Sequence, residues 1–173
     1  MTVLSKFKPI KTFVFDIDGV LTDGNLLILA DGQQARQMSI KDGYALQLAI
    51  KKGYRVVVIS GAQQDAVKLR LEKLGVTDVF LKIENKKEKL QEYVQQHQLQ
   101  WNEILFMGDD IPDYTVMQLV GLPCCPTDAA IEIKEISVYI THLEGGKGCA
   151  RDVIEKVLKL NADWDLETRI ASK

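Results

Sequence analysis

Thr12-Phe13-Val14-Phe15-Asp16-Ile17-Asp18-Gly19-Val20-Leu21-Thr22-Asp23 decides how the rest of the chain is read. Its apolar first half reads as a buried strand, and the strand ends in two carboxylates one residue apart. Alternation along a strand points Asp16 and Asp18 the same way at its carboxyl end. Two negative charges side by side in a dry place are costly unless a cation or a proton compensates. Asp-Gly after a strand is also an ordinary turn signal, so the downstream sequence has to decide between a solvated turn and a site.

Downstream, strand and helix patterns alternate. Leu26 to Leu29, an Asp31-Gly32 turn and Gln37-Met38-Ser39-Ile40 read as a hairpin or flap. A helix is expected from near Lys41-Asp42-Gly43, with Tyr44, Leu48 and Ala49 buried, closing at Lys52-Gly53. Arg55 to Ser60 is a second buried strand. Ala66, Val67, Leu71 and Leu74 mark a helix, and Val79-Phe80-Leu81 a short strand. Leu90, Tyr93, Val94 and His97 mark the next helix, and Ile104 to Met107 the strand that runs into Gly108-Asp109-Asp110. A short helix around Val116, Met117 and Val120, strands near Leu122–Cys124 and Val138–Ile140, and a helix through Val153, Ile154, Val157 and Leu158 complete the pattern. The fold class is therefore α/β, a doubly wound, Rossmann-like parallel sheet with a small β-hairpin flap. One domain is expected over residues 1–173, with 161–173 as a loosely held tail.

Composition narrows the partners. The 173 residues carry a net charge of −2, so no basic field exists to hold nucleic acid. No apolar run approaches a membrane span, and the opening residues lack a signal-peptide core, so a cytoplasmic protein is expected. Cys124, Cys125 and Cys149 match neither a zinc spacing nor a disulfide framework, and read as reduced, buried thiols.

In doubly wound sheets the functional crevice lies beyond the carboxyl ends of the strands. Three of those ends carry chemistry here: Asp16 and Asp18, then Ser60, then Asp109 and Asp110 with Asp113 close behind. Clustered carboxylates without thiolate or imidazole favour a hard, oxygen-loving cation, and magnesium fits better than zinc. His97 and His142 fall away from these strand ends.

The pattern Asp-x-Asp-Gly-Val-Leu-Thr-Asp resembles the first motif of the haloacid dehalogenase superfamily, and the other three motifs follow in order. The resemblance implies a magnesium-dependent phosphoric monoester hydrolase. Asp16 matches the nucleophile that becomes an aspartyl phosphate, and Asp18 the general acid/base. Ser60 matches the hydroxyl that binds the transferring phosphoryl group. Asp109, Asp16 and the backbone carbonyl of Asp18 match the metal ligands, with Asp110 and Asp113 behind them as supporting or alternative carboxylates. Among the lysines of Lys82 to Lys89, Lys86 falls where the family places its charge-stabilising lysine.

Neither interval that could hold a cap domain is long enough for one, so the chain reads as capless. Met38 to Tyr44, Gly108 to Asp113 and Gly145 to Asp152 resemble the bacterial 3-deoxy-D-manno-octulosonate 8-phosphate phosphatases, over about Lys11 to Leu160. That likeness implies a cytoplasmic homotetramer acting on a keto-deoxy sugar acid phosphate on the way to lipopolysaccharide. It also implies substrate contacts from Ser60, Gly61, Arg70, Lys73 and Lys86. Gly61 is followed by Ala62, where the octulosonate enzymes usually have arginine, so a nine-carbon sugar acid 9-phosphate stays open as substrate. A catalytically silent oligomerisation module and a phosphorylated-aspartate receiver are the readings from other classes, and the filled catalytic positions, Asp18 above all, argue against both.

Overall fold

Phe13 and Phe15 point to one side of the first strand and Val14 to the other, and all three are wholly buried. Such a strand must be covered on both faces, and it is. The computed structural model describes residues 2–63, 65–167 and 169–170. Its elements run α1 (Leu4–Phe7), β1 (Thr12–Phe15), β2 (Leu27–Ile28), β3 (Gln34–Ala35), α2 (Ile40–Lys51), β4 (Arg55–Ile59), α3 (Asp65–Lys73), β5 (Asp78–Phe80), α4 (Lys86–His97), β6 (Ile104–Met107), α5 (Tyr114–Met117), β7 (Leu122–Cys125), α6 (Ile131–Ile136), β8 (Tyr139–Ile140) and α7 (Cys149–Leu160).

Six strands pair in parallel in the order β5-β4-β1-β6-β7-β8. Phe13, Phe15, Val56, Val58, Leu105 and Met107 face a core shared with α2, α3 and α7. Val14, Val57, Ile59 and Phe106 face a second core with α4, α5 and α6. A one-residue slip of β1 would exchange these two faces, so burial on both sides specifies the register. The order reverses direction at β1, flanked by β4 and β6, and such a switch point opens a crevice at the strands' carboxyl ends. No cap domain interrupts the described residues, and no helix among them is long and apolar enough to cross a membrane.

One expectation is corrected. The flap exists, but Leu27 pairs with Ala35 and Ile28 with Gln34, so its return arm precedes Gln37–Ile40. Met38 instead bridges to Thr22 beneath the hairpin. Where it is described, the segment expected to be a loosely held tail makes contacts with the body of the domain. Tyr54 donates to Asp163 Oδ2 (2.7 Å), Lys52 to Asp165 Oδ2 (2.7 Å) and Lys51 to Glu167 Oε2 (2.6 Å), while Trp164 packs edge-on against Tyr44. Residues 168 and 171–173 lie outside the described residues.

The last helix is tied back to the first loop. Asp42, buried on α2, accepts from the Arg151 backbone N–H in the first turn of α7 (2.7 Å), and burial pushes its carboxyl up to about 6. Ahead of α7, Gly146 N–H donates to Val20 O at 2.9 Å. A Cβ on Gly145 would stand 2.0 Å from Gly19 O, so this contact of two backbones tolerates glycine alone.

Candidate active site

The chain leaves β1 at Asp16, still extended (φ −73°, ψ 169°), then coils through Ile17–Leu21. Gly19 turns it at φ +81°, and a Cβ there would fall 1.9 Å from Asp109 Oδ2. Only glycine lets this loop and the Asp109 carboxylate share the space. Thr22 closes the loop, its N–H donating to Ile17 O at 2.9 Å and its Oγ1 accepting from Gly19 N–H at 3.3 Å.

The neighbouring strands supply the rest. β4 ends at Ser60, whose buried Oγ accepts from Ala62 N–H at 3.4 Å. β6 ends at Gly108-Asp109. Asp113 braces that turn, accepting from Asp109 N–H on Oδ2 (3.1 Å) and from Lys86 Nζ on Oδ1 (2.7 Å). Asn85 caps α4 by accepting from Glu88 N–H, which fixes Lys86 in the first turn. An ammonium there opposes the helix dipole. Two carboxylates compensate: Lys86 Nζ lies 2.9 Å from Asp16 Oδ1 and 2.7 Å from Asp113 Oδ1.

The electrostatics are those of a site short of positive charge. Burial, reinforced by Asp113 and opposed by Lys86, raises Asp16 to about 7. Burial with the charges of Asp16, Asp113 and Asp110 raises Asp109 to about 8. Burial works against the Lys86 charge, but Asp16 and Asp113 outweigh it and hold the ammonium above its usual range. One oxygen from each of Asp16, Asp109 and Asp113 lies within 4.8 Å of the others, and buried Asp109 Oδ1 has no hydrogen-bond partner among the described residues. An oxygen-only, over-acidic cluster with an orphaned acceptor fits a hard divalent cation of the magnesium type. Asp113 has both oxygens engaged, which leaves Asp16 and Asp109 as the carboxylates to hold it.

A pH dependence follows. Asp16, Asp109 and Asp42 are raised above their unfolded 3.8, so the folded chain keeps protons that the unfolded chain has released. Their contribution is complete below about pH 4 and is lost as pH rises through about 6 to 8. We expect the melting temperature of the metal-free protein to fall between pH 5.5 and 8, and the rise on adding magnesium to be larger at pH 8. A magnesium effect independent of pH would rule out Asp16 and Asp109 as its carboxylates.

Asp16, Asp18, Gly19, Ser60, Gly61, Ala62, Lys86, Asp109, Asp110 and Asp113 line one cavity of about 400 Å³. Of the two supporting carboxylates expected behind Asp109, Asp113 sits inside the cluster. Asp110 is exposed at the rim, where it caps Ile111 N–H at 2.8 Å. Arg70 is half-buried and lines an adjoining groove instead; Lys73 is exposed and lines neither space. Sequence reading missed Arg36, whose Nε donates to Asp18 Oδ1 at 2.8 Å from the flap's return arm. No periodicity could reveal that pairing, because it is made by the fold of the hairpin.

Strand-end carboxylates, a hydroxyl and an ammonium around one cation-sized gap define a capless phosphoryl-transfer site on a doubly wound sheet. No protein-family model matches the chain. A solved hydrolase of the HAD superfamily, subfamily III A, from Legionella pneumophila is 32% identical, covering 92% of this chain and 88% of its own, with a TM-score of 0.89. The chain belongs to the haloacid dehalogenase superfamily. It is also 28% identical over 163 residues (94% of this chain, 87% of the relative) to the 3-deoxy-D-manno-octulosonate 8-phosphate phosphatase KdsC of Salmonella typhi. The corresponding phosphatase of Moraxella catarrhalis, solved with magnesium, phosphate and KDO, is 27% identical, covering 91% of each chain, with a TM-score of 0.88.

Proposed function

We propose that this chain is a magnesium-dependent phosphatase that hydrolyses 3-deoxy-D-manno-octulosonate 8-phosphate. The observation that carries the reading is Asp16 held 2.9 Å from Lys86 beside Asp109, with Asp18 at the same cavity mouth. An Asp16 carboxylate oxygen attacks phosphorus and the P–O ester bond breaks, the leaving oxygen taking the proton of the Asp18 carboxyl. Asp18 then takes a proton from water, whose oxygen attacks the aspartyl phosphate, and inorganic phosphate leaves with Asp16 regenerated. Ser60 and Lys86 bind the phosphoryl oxygens throughout. A magnesium ion held by Asp16 and Asp109 supplies positive charge against the oxygens that gain charge in the transition state.

The reading includes a homotetramer in the cytoplasm. Leu26, Leu27, Ile28 and Leu29 are exposed along the flap, an apolar strip that a neighbouring subunit would cover. The three cysteines are free, as a reducing compartment keeps them.

Phosphate release from a panel of sugar and sugar acid phosphates, with magnesium and with chelator, tests the reading. Magnesium-dependent turnover led by the octulosonate 8-phosphate is expected. Preference for the nine-carbon acid phosphate would keep the chemistry and make Ala62 the clue to specificity, and no turnover of any ester would leave the silent oligomerisation module.

A further inference from the structure

Arg36 holds Asp18 with both arms of its fork: Nε donates to Oδ1 at 2.8 Å and Nη2 to Oδ2 at 3.5 Å. The arginine side chain is only 9% exposed, against 37% for the aspartate. The guanidinium is thus the more enclosed of the two, and Asp18, which also accepts from Thr22 Oγ1 at 3.4 Å, is the more accessible partner. Arg36 also lines a groove of about 640 Å³ next to the acidic cavity, together with Gln34, Gln63, Ile40 and Arg70. Its guanidinium therefore stands between the carboxylate of the reacting centre and the space left for the rest of a substrate. A planar fork serves one carboxylate fully at a time.

We propose that Arg36 is the positioning residue of Asp18, and that it exchanges this carboxylate for the carboxylate of an acid-bearing sugar phosphate lying in the groove. The inference rests on the phosphatase reading above and adds the origin of its selectivity. While the fork is closed on Asp18, the carboxylate oxygens face the guanidinium and not a leaving oxygen. A substrate acid group that captures the fork releases Asp18 toward the ester, and the Gln34 and Gln63 amides are placed to meet sugar hydroxyls. A neutral sugar phosphate of similar size enters the same groove without opening the clamp. Binding is then spent on discrimination at the chemical step rather than on affinity alone.

The test compares kcat and KM of wild type, Arg36→Gln and Arg36→Lys on three probes. These are the octulosonate 8-phosphate, a neutral aldose 6-phosphate, and p-nitrophenyl phosphate, whose leaving group departs without a proton. Arg36→Gln should lose about 100-fold in kcat/KM on the sugar acid, the scale of a charge-assisted hydrogen-bond pair. The neutral aldose phosphate should be cleaved faster, because Asp18 is then released from a clamp that this ester cannot open, while the aryl ester, which needs no proton, should change by less than about fivefold. Arg36→Lys, which keeps the charge but not the fork, should recover part of the sugar-acid rate; it also carries the comparison alone if Arg36→Gln does not fold. Equal losses on all three esters would reduce Arg36 to a structural prop, and an undiminished sugar-acid rate would remove it from recognition; either overturns the exchange alone. A wild type that cleaves the aryl ester and ignores the sugar acid would overturn the substrate reading, and the exchange with it.

Discussion

Asp16→Asn is expected to abolish turnover, by at least about 10⁴-fold in kcat, and at pH 8 to raise the melting temperature of the metal-free protein. Both effects have the same origin. The amide cannot attack phosphorus, so the covalent route is closed while the remaining groups still bind phosphate. Yet the carboxylate it replaces is buried, faces Asp113 and Asp109, and is raised to about 7 despite its ammonium partner. Replacing a charge that the fold disfavours with a neutral isostere relieves repulsion that function requires. Asp113 keeps Lys86 paired at 2.7 Å, so the substitution leaves no orphaned cation. Steady-state kinetics and thermal melts in chelator check the two halves. A variant within tenfold of wild-type kcat would remove Asp16 from the nucleophile's place.

Lys86→Met acts in the opposite direction on stability. It leaves Asp16 and Asp113 facing each other in a space where the lysine side chain was 5% exposed. Breaking a buried pair by deleting one partner costs about 3–5 kcal/mol, far more than losing a surface ion pair. Part of that loss is avoided when the carboxylates take up protons, so the deficit should be smaller at pH 5.5 than at pH 8. Saturating magnesium should recover much of the stability but not the rate. The ammonium is placed to meet phosphoryl oxygens, and its loss should lower kcat by about 10²–10³-fold even in folded, metal-loaded protein. Denaturant titrations with and without magnesium separate the two effects. A stability deficit under about 1 kcal/mol in chelator would show that the cluster does not depend on this cation.

The parallel sheet and the strand ends were legible in the sequence because strands buried on both faces leave unbroken apolar runs, and because polar residues at their ends have little other reason to be there. Asp16, Ser60 and Asp109 stand together as those runs imply, and Lys86, which only the family resemblance singled out among its neighbouring lysines, joins them from the start of α4. The flap register was not legible. β2 and β3 are two residues each and exposed, so no buried face distinguishes one pairing from the next. Asp163, Asp165 and Glu167 fall in the stretch expected to be a loosely held tail, and only the fold shows Lys51, Lys52 and Tyr54 arranged to receive them. Asp110 and Asp113 look alike in sequence, yet a single turn (Ile111–Asp113) sends one to the rim and the other under Lys86. Arg36 and Asp42 act across long stretches of chain, one from a hairpin arm and one from a helix start, so spacing says nothing of their partners.

The contact of Gly145 and Gly146 with the loop from Gly19 to Thr22 bears on how the protein is made. The first reactive carboxylate leaves the ribosome well before the backbone that buttresses its loop, which comes more than a hundred positions later, just ahead of α7. Domains complete their folding as units, and such distant pairings are made late. A nascent chain that has not yet exposed its last helix therefore carries Asp16, Ser60, Lys86 and Asp109 without the wall that holds their loop in place. The site therefore waits for the segment around Gly145 and Gly146, made more than a hundred positions after Asp16, before its loop has a wall.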